Sequence, residues 1–335
     1  MRAYQLTAQT GIDALRQIEA PTPKPGRGQV LVKVAACSLN YRDFAIATGR
    51  YRSPTRANVI PLSDGAGVVV ETGADVTKVK AGDRVMGCFF QRWQGGEAGP
   101  DTQASALGGG LDGMLAEYAM LEEDGVVITP PHLSDREAAT LPCAALTAWH
   151  ALVEHGGLTP GQTILVQGTG GVSIFALQFA RMAGATVIAT SSSDEKLAHA
   201  RRLGATHGVN YRANPDWDMA AVEWTGGRGV DQVVEVGGPG TFARSLGAIR
   251  VGGKVSLIGV LSGMAEINPG MILAKRASVQ GISVGSTQMF EAMARAISAN
   301  TLKPVVDRVF PFEQAADAYR YLQSQAHFGK IVIDI

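Results

Sequence analysis

Short runs in which apolar and polar residues alternate mark the first 125 or so residues of the chain. Residues 29–34 alternate as a half-buried strand does, and 68–71 and 84–86 are further short strands between turn residues. Residues 91–113 are rich in glycine and polar side chains, so we expect a long exposed loop there. This part of the chain is therefore predicted to be β-rich.

From about residue 135 the pattern changes to apolar strands that alternate with helices. Strands are predicted at 163–167, 186–190, 230–236, 254–259 and 279–284, and helices at 172–183, 194–203, 239–249 and 288–300. This alternation with short connections predicts a parallel, doubly wound sheet with right-handed crossovers. Residues 329–335 form a strand again, and we expect it to return to the β-rich part.

The order of these segments predicts two domains. Residues 1–128, completed by 304–335, are assigned to a β-rich domain, and residues 129–303 to an inserted α/β domain. A chain of 335 residues is long enough to bury a core in each.

Composition and charge exclude several classes of function. The chain has 30 Lys and Arg and 30 Asp and Glu, with no basic run, which argues against a nucleic-acid partner. No apolar run reaches the roughly 18 residues of a membrane span, and the first residues lack the apolar core of a signal peptide. Cys37, Cys88 and Cys143 lie far apart, as in a protein of the reducing cytoplasm. We therefore expect a cytoplasmic protein with a small-molecule substrate and no membrane partner.

A glycine-rich turn joins the strand at 163–167 to the helix that follows it. The turn reads Gly168-Thr169-Gly170-Gly171-Val172-Ser173, with serine where a G-x-G-x-x-G motif has its last glycine. Gly168 permits a sharp exit from the strand, and Gly170 lets the backbone approach a pyrophosphate. The N–H groups at the start of the helix point at that phosphate. Because the turn lies in a strand–turn–helix–strand unit, we predict a dinucleotide site.

The end of the next strand distinguishes NAD from NADP. An NAD site carries Asp or Glu about 20 residues beyond the first glycine, where it binds the ribose hydroxyls. Hydroxyl-bearing residues stand there instead: Thr190, Ser191, Ser192 and Ser193. Ser191, Ser192 and the nearby Lys196 suit a 2′-phosphate, and Tyr211 could close over it. Asp194 is the competing acid, but it lies where the first turn of a helix favours one. The predicted cofactor is NADPH.

Several stretches, spread over nearly the whole chain, resemble the medium-chain dehydrogenase/reductase superfamily, in its zinc-free, quinone oxidoreductase-like branch. They are SLNYRDFAIATGRY (38–51), PLSDGAGVVVETGADV (61–76), AGDRV (81–85), AATLPCAALTAWHAL (138–152), the glycine turn, VVEVGG (233–238), GGKVSLIG (252–259), ISVGS (282–286) and GKIVI (329–333). The resemblance implies an α/β fold: a GroES-like, β-rich catalytic domain plus a doubly wound, parallel-sheet Rossmann domain that binds NADP.

The resemblance also bears on metal binding. Matched to the zinc alcohol dehydrogenases of this superfamily, the three positions of the catalytic zinc ligands are Asn40, Ser63 and Cys143. An amide, a hydroxyl and one thiolate make a poor zinc site, because catalytic zinc takes three good N, S or carboxylate ligands. We therefore expect no bound metal, and Cys143 is interpreted as a buried apolar residue.

Without zinc, a hydrogen-bond donor must stabilise the charge that develops on the substrate oxygen. Tyr51 matches the tyrosine that the enoyl reductases of the superfamily use as donor, and Tyr41 is the alternative. Asn40 resembles the asparagine that holds the nicotinamide ribose or a substrate oxygen. Either tyrosine could equally be a packed aromatic residue. Arg42 and Arg50 are predicted to be solvated surface charges.

The resemblance places further residues around the nicotinamide. They are Thr147 and the backbone groups of Gly237, Val260 and Val284, which follow strands of the sheet and are expected to be free to bind the carboxamide. Lys330, at the returning C-terminal strand, is expected to reach the same region.

The predicted function is hydride transfer from NADPH to a quinone or an activated enone without zinc. Two alternatives remain open from the sequence: an NAD(P)-dependent alcohol dehydrogenase, and an NADPH-binding sensor or structural protein without turnover. The fold would be the same in all three.

The strand at 279–284 is predicted to be the edge of the parallel sheet. It has no proline or charge to prevent pairing with another edge. We therefore expect a homodimer in which two such edges meet across a two-fold axis. If Ile282 faces the partner, replacing it with Lys should weaken the dimer.

Overall fold

The computed structural model describes residues 1–51, 53, 55–259, 261, 263 and 266–335. The strands, in chain order, are β1 (Arg2–Leu6), β2 (Leu15–Glu19), β3 (Gln29–Ser38), β4 (Asp64–Thr72), β5 (Arg84–Gly87), β6 (Tyr118–Glu122), β7 (Val126–Ile128), β8 (Thr163–Gln167), β9 (Thr186–Ser191), β10 (His207–Asn210), β11 (Val230–Glu235), β12 (Ile249–Leu257), β13 (Ser278–Gly281), β14 (Val306–Pro311) and β15 (Lys330–Asp334).

The helices are α1 (Tyr41–Ala47), α2 (Asp135–Ala138), α3 (Leu146–Trp149), α4 (Gly171–Met182), α5 (Asp194–Arg202), α6 (Trp217–Trp224), α7 (Pro239–Ala248), α8 (Pro269–Lys275), α9 (Thr287–Ala299) and α10 (Ala315–Gln323). π-helical turns, Leu141–Ala145 and His150–His155, flank α3. Within the described part of the chain, none of the helices has the length and apolar character that crossing a membrane requires.

These residues form two compact units. The first comprises Met1–Leu146 and Val284–Ile335, and the second comprises Thr147–Ser283. The first unit keeps α2 and α9 because α2 packs on β3 and β4, and α9 packs on β7. The domain limits drawn from the sequence, at residues 128 and 303, remain a proposal.

The first unit is built on a sheet in the order β14-β15-β3-β4-β5-β7, with β6 also paired to β3. The pair β14–β15 is parallel and the other pairs are antiparallel. Val332 of β15 lies opposite Ser38 of β3, which confirms the expected return of the C-terminal strand. This register brings Lys330, at the start of β15, level with the residues that follow β3.

Residues 91–113 are irregular, but the expectation of an exposed loop is wrong for much of the segment. Trp93, Ala106 and Leu107 are buried, and Leu107 belongs to the hydrophobic core of the unit. Only stretches such as residues 96–101 are exposed throughout. Burying a large apolar side chain stabilises the fold by on the order of 1.5–3 kcal/mol. These side chains are therefore buried although the neighbouring glycines are typical of an exposed loop.

The second unit is a parallel sheet in the order β10-β9-β8-β11-β12-β13. This is the predicted doubly wound arrangement, with the first strand of the unit in the middle. Apolar residues of neighbouring strands, such as Leu165, Ile188 and Val233, share one core. Gln167 lies opposite Thr190, and Thr190 lies opposite Val209. The carboxyl ends of β8, β9 and β10 therefore meet at one edge of the sheet.

Two strands of the parallel sheet differ from their predicted limits by more than one residue. β12 begins at Ile249 instead of 254, because Ile249 pairs with Val230 across a register shift. β13 ends at Gly281 instead of 284. Ile282 is buried within the chain, so the condition that it faces a partner is not met. β13 is an edge of the sheet, as predicted.

Candidate active site

Asn40 lies at the junction between β3 and α1, where it caps the helix. Its backbone N–H donates to Asp43 Oδ2 at 2.8 Å. Its side-chain oxygen Oδ1 accepts from Lys330 Nζ at 2.6 Å, which fixes the orientation of the amide. The Nδ2 group is thereby turned away from Lys330, and it is buried without a hydrogen-bond partner among the described residues. An unsatisfied buried N–H of this kind fits a ligand oxygen.

Lys330 is the centre of a buried polar cluster. Only 2% of the residue is exposed. Its Nζ donates to Leu39 O at 2.7 Å and lies 3.6 Å from Asp64 Oδ2. The other oxygen of Asp64 accepts from Ser63 Oγ at 2.8 Å, and Oδ2 also accepts from the Cys143 N–H at 3.3 Å. The cluster links β15, β4 and the segments that follow β3 and α2.

The same contacts decide whether Asn40, Ser63 and Cys143 could hold zinc. The Asn40 oxygen is bound to an ammonium group and the Ser63 hydroxyl donates to a carboxylate. Cys143 is partly accessible instead of buried as expected. Although part of the residue is exposed, the groups packed around its thiol shield it from water, and this desolvation, with a contribution from the Asp64 charge, raises the pKa of the thiol, which opposes formation of a thiolate ligand. These residues do not fit a catalytic zinc site. Among the residues described here, no group of three or more His, Cys, Asp and Glu is placed to hold a metal.

Arg42 is buried, so the prediction of a solvated surface charge is wrong. Its Nη1 donates to Leu107 O at 2.9 Å, and its guanidinium lies over the rings of Phe89 and Tyr51, at 4.5 and 5.2 Å from their centroids. Burial raises the pKa of the neighbouring Asp43 to about 6, although the Arg42 charge and the Asn40 N–H lower it. Arg50 is exposed, as predicted.

The two candidate tyrosines have different surroundings. Tyr51 is half-buried, packs against the core of the first unit and lies beside the buried Arg42 guanidinium. Tyr41 is the first residue of α1 and is 44% exposed. A phenol beside a fixed positive charge is better suited to stabilise developing negative charge. Tyr51 is therefore the stronger candidate, and its role stays a proposal.

In the second unit, the glycine turn has the shape expected for a pyrophosphate. Gly168 has a φ of 71°, a conformation that glycine adopts without strain. A side chain at Gly170, the N-cap of α4, would meet no atom within 4 Å, so open space lies over the start of the helix. The N–H groups of the first helical turn have no partner within the helix. This geometry is compatible with a dinucleotide phosphate at this edge of the sheet, and the part of Thr169, Gly171 and Val172 in binding it stays a proposal.

Ser173 replaces the last glycine of the motif, and the structure gives a reason. The residue is buried, and its hydroxyl donates to Gln167 O at 2.5 Å. The hydroxyl therefore ties the first turn of α4 back to the end of β8. A side chain larger than serine would not suit a position where the helix packs this closely on the strand.

The hydroxyl-bearing residues at the end of β9 fall into two sets: those that are buried or hydrogen-bonded within the chain, and Ser192, which is partly exposed. Thr190 Oγ1 accepts from the Gly168 N–H at 3.4 Å, Ser191 is buried, and Ser193 caps α5 by accepting from the Lys196 N–H at 3.3 Å. Ser192 is half-buried, and Lys196 lies on the first turn of α5.

Asp194 and Tyr211 lie at the same edge of the sheet. The Asp194 carboxylate accepts from Asn210 Nδ2 at 2.9 Å, so this acid has a partner within the chain. The Tyr211 N–H donates to Ser191 O at 3.0 Å, and its side chain is 42% exposed. Ser192, Lys196 and Tyr211 thus lie at or next to the end of β9, together with the Asp194 carboxylate, whose partner is the neutral Asn210 amide.

The residues expected around the nicotinamide have mixed outcomes. Thr147 is buried at α3. The Gly237 N–H was expected to be free, but it donates to Glu235 Oε1 at 2.7 Å. Val284 has a φ of 52°, a left-handed conformation that β-branched residues adopt only under strain. Val260 lies outside the described residues. These assignments remain proposals.

Three features of the site were missed by reasoning from the sequence: the Lys330–Asp64 pair, the burial of Arg42, and the network in which Gln167 Nε2 donates to Glu235 Oε2 at 2.8 Å. Two of them involve a polar residue in a mostly apolar segment: Lys330 in GKIVI and Glu235 in VVEVGG. That pattern was available as a signal, since polar residues in apolar strands need a partner when they are buried. It did not identify the partners.

Comparisons with known proteins agree with this geometry. Residues 26–131 match the family described as "Alcohol dehydrogenase GroES-like domain", and residues 171–299 match "Zinc-binding dehydrogenase". A zinc-type alcohol dehydrogenase-like protein of Schizosaccharomyces pombe is 46% identical, over 97% of this chain and 96% of its own length. The quinone oxidoreductase of Rattus norvegicus is 30% identical, over 99% and 97%.

A solved structure extends the comparison to the whole fold. A putative alcohol dehydrogenase from Sinorhizobium meliloti 1021 is similar with a TM-score of 0.93 and 40% identity, over 100% of this chain and 98% of that one. The two units are thus a GroES-like β-rich domain and a doubly wound Rossmann domain, as the resemblance implied. The chain is an oxidoreductase and belongs to the medium-chain dehydrogenase/reductase superfamily, in its quinone oxidoreductase-like branch.

Proposed function

We propose that the protein is an NADPH-dependent, zinc-independent oxidoreductase that reduces a quinone or an activated enone. The observation that carries the choice of cofactor is the end of β9, where Ser191 and Ser192 stand in place of an acid. A carboxylate at that point would repel a 2′-phosphate. Asp194 lies on the first turn of α5 and accepts from Asn210 Nδ2, so the two serines and Lys196 remain as the groups that would contact the phosphate, which supports NADPH over NADH.

Lys196 supplies the positive charge of this proposed 2′-phosphate site, and it gives the test. Replacing Lys196 with Glu is expected to weaken NADPH binding by on the order of 1–3 kcal/mol, the scale of a hydrogen bond to a charged group. NADH binding by the same variant should change little and is the internal control. Titration of protein fluorescence with each nucleotide measures both. Equal affinity of the unmodified protein for NADPH and NADH would contradict the proposal.

The chemistry that we propose for the first unit needs no metal. When bound, the reduced nicotinamide supplies a hydride to the β-carbon of the enone, or to the equivalent position of a quinone. The Tyr51 hydroxyl then donates a hydrogen bond, and finally its proton, toward the negative charge on the substrate. The buried Arg42 guanidinium, 5.2 Å from the Tyr51 ring, stabilises the resulting phenolate. Asn40 holds a substrate or ribose oxygen with Nδ2, while Lys330 fixes the amide.

An alcohol dehydrogenase is the second candidate, because the relative at 46% identity carries that description. Elemental analysis of protein prepared in metal-free buffer separates the two. About one zinc per chain would overturn the zinc-independent proposal. If NADPH binds but no quinone, enone or aldehyde consumes it, the third possibility, a sensor without turnover, is favoured.

We also propose that the protein is a cytoplasmic homodimer that pairs through the edge strand β13. Ser278 and Gln280 are exposed on this strand, and no charge or proline blocks pairing. Replacing Ser278 with Lys is expected to shift the dimer toward monomer without changing cofactor binding. Sedimentation velocity at micromolar concentration measures this change. A monomer in the unmodified protein would contradict the dimer.

A further inference from the structure

Glu235, the last residue of β11, is a fully buried carboxylate that the proposed chemistry does not use. Its Oε1 accepts from the Gly237 N–H at 2.7 Å, the Gly238 N–H at 2.9 Å and Thr241 Oγ1 at 2.6 Å. Its Oε2 accepts from Gln167 Nε2 at 2.8 Å and from the Ser245 hydroxyl. Among the described residues, no Lys, Arg or His forms an ion pair with it. The charge is held entirely by neutral donors.

Gln167 extends this network to the neighbouring strand. It is the last residue of β8, which pairs with β11, and it directly precedes the glycine turn. Its Nε2 donates to Glu235 and to Ser245 Oγ, and its Oε1 accepts from the N–H groups of Val236 and Gly237, both at 3.3 Å. The loop 236–238 is therefore held by the side chains of Glu235 and Gln167 together.

The charge of Glu235, and not only its shape, is needed for this arrangement. A glutamine at position 235 would present an NH₂ group either to the Gln167 NH₂ or to the N–H groups of Gly237 and Gly238. To avoid the clash of donors, Gln167 would have to turn its amide over, and the N–H groups of Val236 and Gly237 would lose their acceptor. The glycine turn would be affected less, because Ser173 and Thr190 hold it independently.

We propose that Glu235 is a positioning residue for the nicotinamide half of the cofactor, which acts by fixing the 236–238 loop. This inference rests on the proposed function, in which Gly237 lies beside the nicotinamide. The network needs five donors around one carboxylate, so the loop has a single bonded arrangement before the cofactor binds. Binding then costs less conformational entropy, since the loop is already ordered.

The test compares Glu235→Gln with Asp231→Asn. Asp231 lies on the same strand at its opposite end and is also a buried carboxylate, bound to Arg228, Arg250 and the Thr163 N–H. Affinities for NADPH and for 2′,5′-ADP, which lacks the nicotinamide, are measured by calorimetry, together with Tm. We expect E235Q to bind NADPH about tenfold more weakly and 2′,5′-ADP as the unmodified protein does. D231N should lower Tm and leave both affinities unchanged.

A reciprocal variant, E235Q with Gln167→Glu, keeps the test decisive if E235Q does not fold. The carboxylate introduced at position 167 can accept from the loop N–H groups and from Ser245. The amide introduced at position 235 can donate to that carboxylate while its oxygen accepts from Gly238 and Thr241. Recovery of NADPH affinity in this variant supports the inference, and a folded double variant that binds NADPH weakly overturns it. Unchanged NADPH affinity in E235Q also overturns it, as does an equal loss of 2′,5′-ADP affinity or the same loss in D231N.

A failure of the proposed function can be distinguished from a failure of this inference. If the unmodified protein prefers NADH, the choice of NADPH is wrong, and the same comparison is made with NADH against ADP. The role of Glu235 is then still tested, because the loss of affinity in E235Q is compared between the whole dinucleotide and its adenosine fragment.

Discussion

Replacing Tyr51 with phenylalanine is expected to lower kcat by about a hundredfold or more, the scale of losing a general acid, while NADPH affinity stays unchanged. The change removes one hydroxyl and leaves the ring, which packs on the core and lies 5.2 Å from the Arg42 guanidinium. The substrate oxygen would lose its proton donor at the point where negative charge develops. Steady-state oxidation of NADPH with a panel of quinones and enones measures kcat and KM.

Tyr41→Phe is the matched control for this prediction. It likewise removes one phenol hydroxyl, from a residue that is 44% exposed at the first turn of α1. Tyr41 is the alternative proton donor suggested by the sequence. We expect its kcat to remain within about twofold of the unmodified protein, since surface substitutions are nearly neutral. Full turnover in Y51F together with a large loss in Y41F would exchange the two roles. Full turnover in both would exclude a tyrosine donor.

Replacing Lys330 with methionine is expected to lower the free energy of unfolding by about 3–5 kcal/mol, because it leaves a buried charge without its partner. Lys330 and Asp64 are both almost completely buried, 3.6 Å apart, and Asn40 Oδ1 also depends on the ammonium group. Methionine preserves most of the side-chain volume, so the change reports mainly the lost charge. Urea denaturation followed by circular dichroism measures the effect.

Two variants check the reason for that loss. Arg136→Met breaks an exposed ion pair with Asp334, on the same strand as Lys330, and should cost less than about 1 kcal/mol. Adding Asp64→Asn to the Lys330 variant should restore part of the stability, because the unpaired carboxylate is removed. Equal losses in the Lys330 and Arg136 variants, or no recovery in the double variant, would show that the buried pair is not the cause.

The overall fold could be predicted from the sequence because its signals are local. The alternation of apolar strands with helices between residues 163 and 300 is visible in short windows, and the observed limits of α4 and α5 differ from the predicted ones by only one residue. β13 ends early because Ile282 turns into the core, a choice set by packing and not by strand propensity.

The candidate site was also predicted only in part, and again the parts with local sequence signals were the predictable ones. The glycine turn and the hydroxyl run were visible because all their residues lie within one strand–helix–strand unit. The polar networks were not, because their partners are far apart along the chain: Lys330 and Asn40 are 290 positions apart, and Gln167 and Glu235 are 68 apart. Arg42 was misread because a charged residue in a short polar motif is most often solvated, and its covering segment lies 65 positions away.

The contact of Arg42 with Leu107 sets limits on how the 91–113 segment can be redesigned. Grafting a different loop there would have to preserve a carbonyl at the position of Leu107 and a residue without a side chain at Gly109, where a Cβ would come within 2.9 Å of Arg42 Nη2. In the exposed stretch 96–101, the carbonyls of Gly96 and Gly99 accept from Trp93 Nε1 and from the Thr102 N–H, and Gly96 has a φ of 66°. A combinatorial library is therefore best confined to residues 97, 98, 100 and 101, with Gly96 and Gly99 kept, so that the guanidinium beside Tyr51 stays in place.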